Sequence, residues 1–328
     1  MSSTLIWAIA VVVAILLALV VLDCVVMSLK KRRMMPTGKL GQYFSRNLLK
    51  FNAFVILFIF CAVWLVPLIV GVLGSFTSQY TFENAPGQLI PPDGFTFQNY
   101  IDLFTKIDMS TGEAYPIARW VLNSFIVATA CTLFGLLIGG LAAYAFVFLR
   151  FKFRNVLFAF LLFTMVIPGV ATMTPQLANI SNLGMARSLW ALILPSLGGV
   201  GGLYLIRQFF LGIPKELIES ARMDGMSDFS IFRKIVLPLG KSVFLVQGLF
   251  TFMGSWNDLL WPQIILGTAD KSLWTLQVGI AYISSSKTAN TIGLGLASAI
   301  ISAIPMLILY IITQNKIVEG VSGTGIKA

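Results

Sequence analysis

The sequence predicts an all-α membrane protein, a six-span core preceded by one extra N-terminal transmembrane helix, about seven spans in all. Three observations predict it. Hydrophobic residues make up 57% of the 328 residues and charged residues only 11%, against about a quarter charged in an ordinary soluble domain. The apolar residues are gathered into long uncharged runs, at 5–22, 51–82, 121–149, 155–186, 188–206, 242–257 and 288–315. About 20 apolar residues cross a bilayer as a helix. Finally, the Lys and Arg residues fall on alternate linkers. With the N-terminus outside, the inside linkers hold 18 of them and the outside linkers five. That asymmetry orients membrane helices during insertion. It accounts for the net charge of +10 without any nucleic-acid partner. A β-barrel is excluded, because its strands alternate polar and apolar residues every second position and these runs are apolar on all sides.

The expected spans are 5–29, 51–74, 121–148, 155–173, 187–207, 242–266 and 290–314. The first lacks a charged leading segment and is followed by Lys30, Lys31, Arg32 and Arg33. This order suits a retained anchor with its N-terminus outside better than a cleaved signal. Residues 1–50 therefore read as an anchor plus a basic linker, and 51–328 as the membrane core. The fourth span is expected to end near Pro168, Pro175 and Gln176. The outer stretch 75–119 is expected to begin irregularly, with Pro86, Pro91, Pro92 and Gly94. Cys24, Cys61 and Cys131 lie in or beside spans and read as small apolar residues.

Much chemistry is excluded. The chain has no histidine, which removes histidine relays, histidine metal sites and serine triads. It has no phosphate-cradling G-x-x-x-x-G-K-[ST] loop. Asp23 and Asp258 are the carboxylates inside spans. A membrane carboxylate is a functional candidate by default, but both lie near span ends, where water or a helix partner is within reach. An ion-coupled carrier would show a clearer set of buried acids.

The linker 207–241 carries the most information. Pro214 suits the first turn of a helix, where its missing N–H costs nothing. Residues 215–224 are mostly good helix formers, and Gly225 can adopt the left-handed conformation that ends one. Ser227 or Asp228 can cap a second helix through Ile231, Phe232, Ile235 and Val236, stopped by Pro238. Leu217, Ile218 and Ala221 share one face of the first helix. That face needs cover, from lipid headgroups or from a groove on another protein.

The wording of this loop resembles a known signature. Glu219-Ser-Ala-x3-Gly225, then nine residues, then Ile235-x-Leu237-Pro238 matches the EAA motif of ABC-importer permeases, with Ser220 the one departure. Phe95-Thr-Phe-x-Asn99-Tyr100, Arg119-Trp-x-x-Asn123-Ser124, Ala191-Leu-Ile-Leu-Pro195, Arg207-Gln-Phe-Phe210 and Trp256-Asn-Asp-x-Leu-Trp-Pro262 resemble the MalG-like branch that imports maltose-type carbohydrates. The resemblance covers about 51–328 and leaves the role of 1–50 open.

The resemblance implies a transport subunit of a bacterial inner membrane, with its C-terminus cytoplasmic. Its partners would be a second permease, two ATP-binding subunits and an extracytoplasmic solute-binding protein, and its cargo a sugar or oligosaccharide. It implies no cofactor or metal in this chain, with ATP and Mg on the partner subunits, and no enzymatic chemistry of its own. Closure of the ATPase dimer would drive the coupling helices together and open the pore outward. In that scheme Leu217, Ile218, Glu219, Ala221, Met223, Asp224, Gly225 and Pro238 form the ATPase-coupling site. Arg222, Arg233 and Lys234 could instead meet anionic lipid or simply mark the inner side. Asn123, Gln247, Ser255, Asn257 and Asp258 are candidates for a substrate path or for helix–helix hydrogen bonds. Trp261 is expected to be an interfacial anchor. The outer loop 267–287 resembles a binding-protein contact, and the glycine-bearing tail 316–328 resembles one that reaches between the ATPases. The competing readings are a permease for glycerophosphate or an acidic saccharide, an ion-coupled carrier, and a membrane scaffold without a pore.

Overall fold

Fourteen helices dominate the described residues of the computed structural model, and no strand appears there beyond one isolated bridge between Ile107 and Ala114. The structure describes residues 39–84, 90–107, 112–267, 269–285 and 292–322, with side chains over 50–314 of these. The expected first span, Asp23, Cys24 and the last residues of the tail lie outside them. Two compact units emerge, Met1–Gly74 and Ser75–Ala328.

In the first unit lies most of α1 (Lys39–Ser75). It is helical well ahead of the apolar run, so the expected linker is helical from Lys39. Its Lys50–Ser75 part is long and apolar enough to cross a membrane. Large side chains such as Phe54, Phe58 and Trp64 stay exposed along it.

The second unit opens with α2 (Gln79–Asn84) and α3 (Gln98–Thr105). The irregular part of the outer stretch thus follows a short helix rather than leading it. The Asp93 carboxylate accepts hydrogen bonds from the Ser78 and Thr81 hydroxyls, which hold its pKa below the usual carboxylate value. Asn99 Nδ2 donates to the carbonyls of Ser75 and Thr77, both at 2.9 Å.

Three helix pairs among the described residues are bent by more than 40°. The pair α5 (Arg154–Thr164) and α6 (Gly169–Asn182) turns by 100°. Pro168 lies in the break, lacking an N–H and disfavouring helical backbone at Ile167, and is itself extended ahead of α6. Pro175 does not end the segment as expected, and α6 continues past it to Asn182. The pair α7 (Trp190–Ser196) and α8 (Val200–Phe210) bends by 41° at the Gly198-Gly199 break.

The loop helix α9 (Lys215–Met223) follows, then a helical stretch α10 (Asp228–Leu239) that meets α11 (Lys241–Asn257) at 82°. Pro238 was expected to stop α10, yet the helix runs through it. A π-turn at Phe232–Val236 widens the backbone just before the proline, and the Leu237 N–H reaches Phe232 O. That shift spares the clash a proline ring makes with the carbonyl four residues back. The expected span 242–266 is also broken: α11 ends at Asn257 and α12 (Leu260–Leu266) restarts after Asp258. Helices α13 (Leu276–Ser285) and α14 (Ile292–Ser322) complete the unit.

One helix organises the rest. The central helix, α4 (Ile117–Phe148), is 32 residues long and packs chiefly on α8 and α11. Close approach is possible because Gly140 faces Phe244. A Cβ there would lie 2.7 Å from that ring, and small residues let membrane helices meet. One end of α4 enters a core of Trp120, Trp256, Trp261, Trp274 and Leu276. The other enters a core of Tyr144, Phe148, Phe210, Ile218, Ile231 and Phe232. Between them α4 exposes Leu133 and Leu137, the pattern of a helix that meets lipid on one side.

Candidate coupling loop and transmembrane cavity

The loop at 207–241 is built as a hinge of two helices. Pro214 stands just before α9 with extended ψ, one position earlier than expected. Glu216 lies in the first turn of α9 and Arg222 in its last, both favourable to the helix dipole. The C-terminus closes with two bonds. The Met226 N–H reaches Ala221 O at 3.1 Å and the Gly225 N–H reaches Arg222 O at 3.0 Å. Gly225 has φ +77°, the left-handed geometry this Schellman closure needs. Ser227 Oγ then accepts from the Ser230 N–H at 3.3 Å and caps α10.

An apolar face on α9 is split by the structure. Ile218 is 2% exposed and Ala221 5%, both inside this chain's own core with Ile231 and Phe232. Leu217 is 42% exposed and Met223 88%, and Glu219 and Asp224 also face outward. The cover that the sequence left open for Ile218 and Ala221 is therefore the chain itself.

Arg222 has a role the sequence reading missed. Its Nη2 meets Asp228 Oδ1 at 2.8 Å and Phe148 O at 3.1 Å. Tyr144 donates its phenolic O–H to the same Asp228 oxygen at 2.9 Å. One knot thus joins α9, α10 and the end of α4. The Arg222 guanidinium, then the Tyr144 hydroxyl, hold the Asp228 carboxyl below its ordinary pKa, and Arg222 is raised in turn. The opposite charges on either side of Gly225 were the available signal. Arg222 is bound internally, not simply turned to lipid.

A cavity of about 360 Å³ lies nearer the tryptophan-rich end. Its polar lining includes Thr172, Gln176, Thr251, Ser255, Asp258 and Thr275. Asp258 stands at the break between α11 and α12. Thr275 is buried and its hydroxyl has no hydrogen-bond partner among the described residues. Ser255 and Asp258 therefore share this cavity.

The other expected path residues do not. Asn123 is buried and donates to Ser272 O at 2.8 Å and Trp274 O at 2.9 Å. Gln247 donates to Thr251 Oγ1 at 3.1 Å. Asn257 is exposed.

Trp261 is not the expected interfacial anchor. It is buried and donates to Ala191 O at 3.0 Å. Trp120 Nε1 reaches Lys271 O at 2.7 Å and Ser124 Oγ accepts from the Leu276 N–H at 2.8 Å. Trp120, Asn123 and Ser124 together hold the segment 271–276.

A helix-break-helix loop set between bent apolar helices is compatible with a membrane transport component, and the relatives of this chain are of that class. Residues 135–317, more than half of the chain, match the family of binding-protein-dependent transport system inner membrane components. The chain belongs to that family. It is 30% identical over 262 residues to the arabinooligosaccharides transport system permease protein AraQ of Halalkalibacterium halodurans, covering 80% of this chain and 90% of that one. It is 32% identical over 257 residues to the sn-glycerol-3-phosphate transport system permease protein UgpE of Pectobacterium atrosepticum, covering 78% and 90%. In fold it is similar, at TM-score 0.71 and 22% identity, to a chain of a bacterial ABC transporter involved in the import of the acidic polysaccharide alginate, covering 83% and 97%.

Proposed function

We propose that this chain is one half of the pore of an ATP-driven importer, working with a second permease, two ATP-binding subunits and an extracytoplasmic binding protein. Residues 51–328 form the pore half, 1–50 an anchor with its N-terminus outside, and the C-terminus is cytoplasmic. The loop 207–241 receives the ATPase. The observation that carries this is a capped helix, α9, rooted by Ile218 and Ala221 yet presenting Leu217 and Met223 outward. Leu217, Met223, Glu219 and Asp224 make the contact, while Gly225 and Pro238 shape the loop behind it. ATP and Mg belong to the partners, and this chain carries force rather than catalysing a reaction.

The cargo is a neutral sugar or oligosaccharide. The cavity offers hydroxyls, an amide and one carboxylate, and no Lys or Arg lines it among the described residues. Such a lining suits hydroxylated cargo better than a phosphate or uronate. Similarity to UgpE supports glycerophosphate as the second reading.

Co-purification tests the mechanism. The wild-type chain is expected to retain an ATP-binding subunit, and Leu217→Asp with Met223→Asp to release it while the permease stays folded. Uptake driven by ion gradients with no ATPase bound, and abolished by Asp258→Asn, would establish a secondary carrier instead.

A further inference from the structure

A larger cavity, about 480 Å³, opens beside α9 at the connection between α4 and α5. Four of its lining residues are cations, Arg150, Arg154, Lys215 and Arg222, against the single carboxylate of Glu219. Arg222 is already paired with Asp228, whereas Arg150, Arg154 and Lys215 have no ion pair among the described residues. Arg154 Nη1 donates to Leu149 O at 3.1 Å, which steadies its guanidinium at the rim and leaves other donors open. Like charges gathered around one space, without matching acids, favour an anion within it.

The rim has a second character. The connection reads Arg150-Phe-Lys-Phe-Arg154, with basic and aromatic residues alternating. Phe153 has φ +63°, the one positive φ outside glycine among the described residues. A bulky side chain rarely adopts that conformation, and the residue is 64% exposed. Lys152 Nζ lies 5.3 Å from that ring. The exposed apolar surface then continues along one flank of α5 through Val156, Phe160 and Phe163, at the spacing of a single helix face. A cationic cavity thus adjoins an apolar helix flank at the end of a 32-residue spanning helix. Basic groups meet phosphates, and aromatic rings meet the headgroup–acyl boundary, at this depth of a bilayer.

We propose that this cavity is a headgroup site for an anionic phospholipid. The phosphodiester sits between Arg150 and Arg154, and its acyl chains follow the α5 flank. Lys215 approaches the same headgroup from α9, so that lipid and coupling loop share one site. The lipid rather than a protein partner is favoured by the continuous apolar flank, which an aqueous subunit would leave uncovered. The proposal rests on the reading of α4 and α5 as membrane spans, and not on how α9 meets its ATPase.

The whole transporter is purified with its partners into nanodiscs of phosphatidylcholine doped with phosphatidylglycerol, and bound lipid is read by native mass spectrometry. The wild type is expected to enrich phosphatidylglycerol over the bulk ratio. Arg150→Gln and Arg154→Gln are each expected to cut that enrichment roughly fivefold, the factor that one basic group contributes near an anionic surface. Arg119→Gln, on an exposed residue at the opposite end of α4, is expected to leave it unchanged. Wild-type enrichment in the double variant, Arg150→Gln with Arg154→Gln, would overturn the proposal. So would displacement of the lipid by millimolar inorganic phosphate, which would make the cavity a free-anion site. Loss of the ATP-binding subunit from the double variant in lipid-free detergent would instead make it a protein contact. Because enrichment is read separately from subunit retention, failure of this proposal is distinguishable from failure of the coupling reading.

Discussion

The two ends of α4 are held by opposite means. At the tryptophan end, Trp120, Asn123 and Ser124 bond to backbone groups of 271–276 in a buried core. At the loop end, α9 and α10 are joined by one exposed ion pair, a tyrosine hydroxyl and a glycine closure. Buried polar bonds are costly to break because the freed groups find no water. An exposed pair exchanges readily with solvent and contributes little. The first arrangement suits a fixed frame. The second suits an element that moves as a unit against a partner while remaining attached to the core by Ile218 and Ala221.

The comparison is broken most severely at the tryptophan end. Trp120→Ala is expected to destabilise the folded chain by about 3–5 kcal/mol, seen as a lowered thermal midpoint in detergent. Gly279→Ala should do less harm, about 1–3 kcal/mol, from the other side, where its Cβ would lie 2.0 Å from the Trp120 ring. Asn123→Leu removes the donor from one buried and one partly buried carbonyl and should cost about 1–3 kcal/mol in the same assay. If these three variants melt like the wild type, the frame lies elsewhere.

The loop end is expected to respond differently. Gly225→Ala meets no neighbour within 4 Å, so only its left-handed backbone resists, by about 1 kcal/mol. ATPase retention should fall more than the melting temperature does. The smallest effect belongs to the Arg222–Asp228 pair, whose side chains are 38% and 49% exposed. A double-mutant cycle should give less than about 1 kcal/mol. The sign of its pH dependence follows from Asp228, whose folded pKa lies below the ordinary 3.8. Its stabilisation is complete above that ordinary value and is lost as pH falls through the lower folded one. The loop should therefore be indifferent to pH near neutrality and loosen only in strong acid, as amide exchange in α9 would record.

Legibility in the sequence differed just as sharply between features. The glycine closure at Gly225 was readable and the cap was narrowed to Ser227 or Asp228, because such motifs depend on neighbours a few residues apart. The 100° bend after Thr164 was only half readable. Pro168 marked a break, but whether a second helix follows depends on what covers it. Pro238 misled for a related reason, since a π-turn upstream absorbs the ring. Trp261 was misplaced because an amphipathic ring suits an interface and a satisfied core equally well, and only Ala191 O decides between them. The knot of Arg222, Asp228 and Tyr144 was invisible because its members are as much as 84 residues apart.

By itself, the sequence determined that this chain is helical and embedded in a membrane, and that its signature loop lies at 207–241. Hydropathy, charge bias and motif spacing are local properties, and they survive any rearrangement of the helices. The tertiary structure alone decided which residues of that loop remain available. Ile218 and Leu217 are adjacent and chemically alike, yet one is buried and the other exposed. That choice depends on where α4 and α10 pass, which no local pattern encodes.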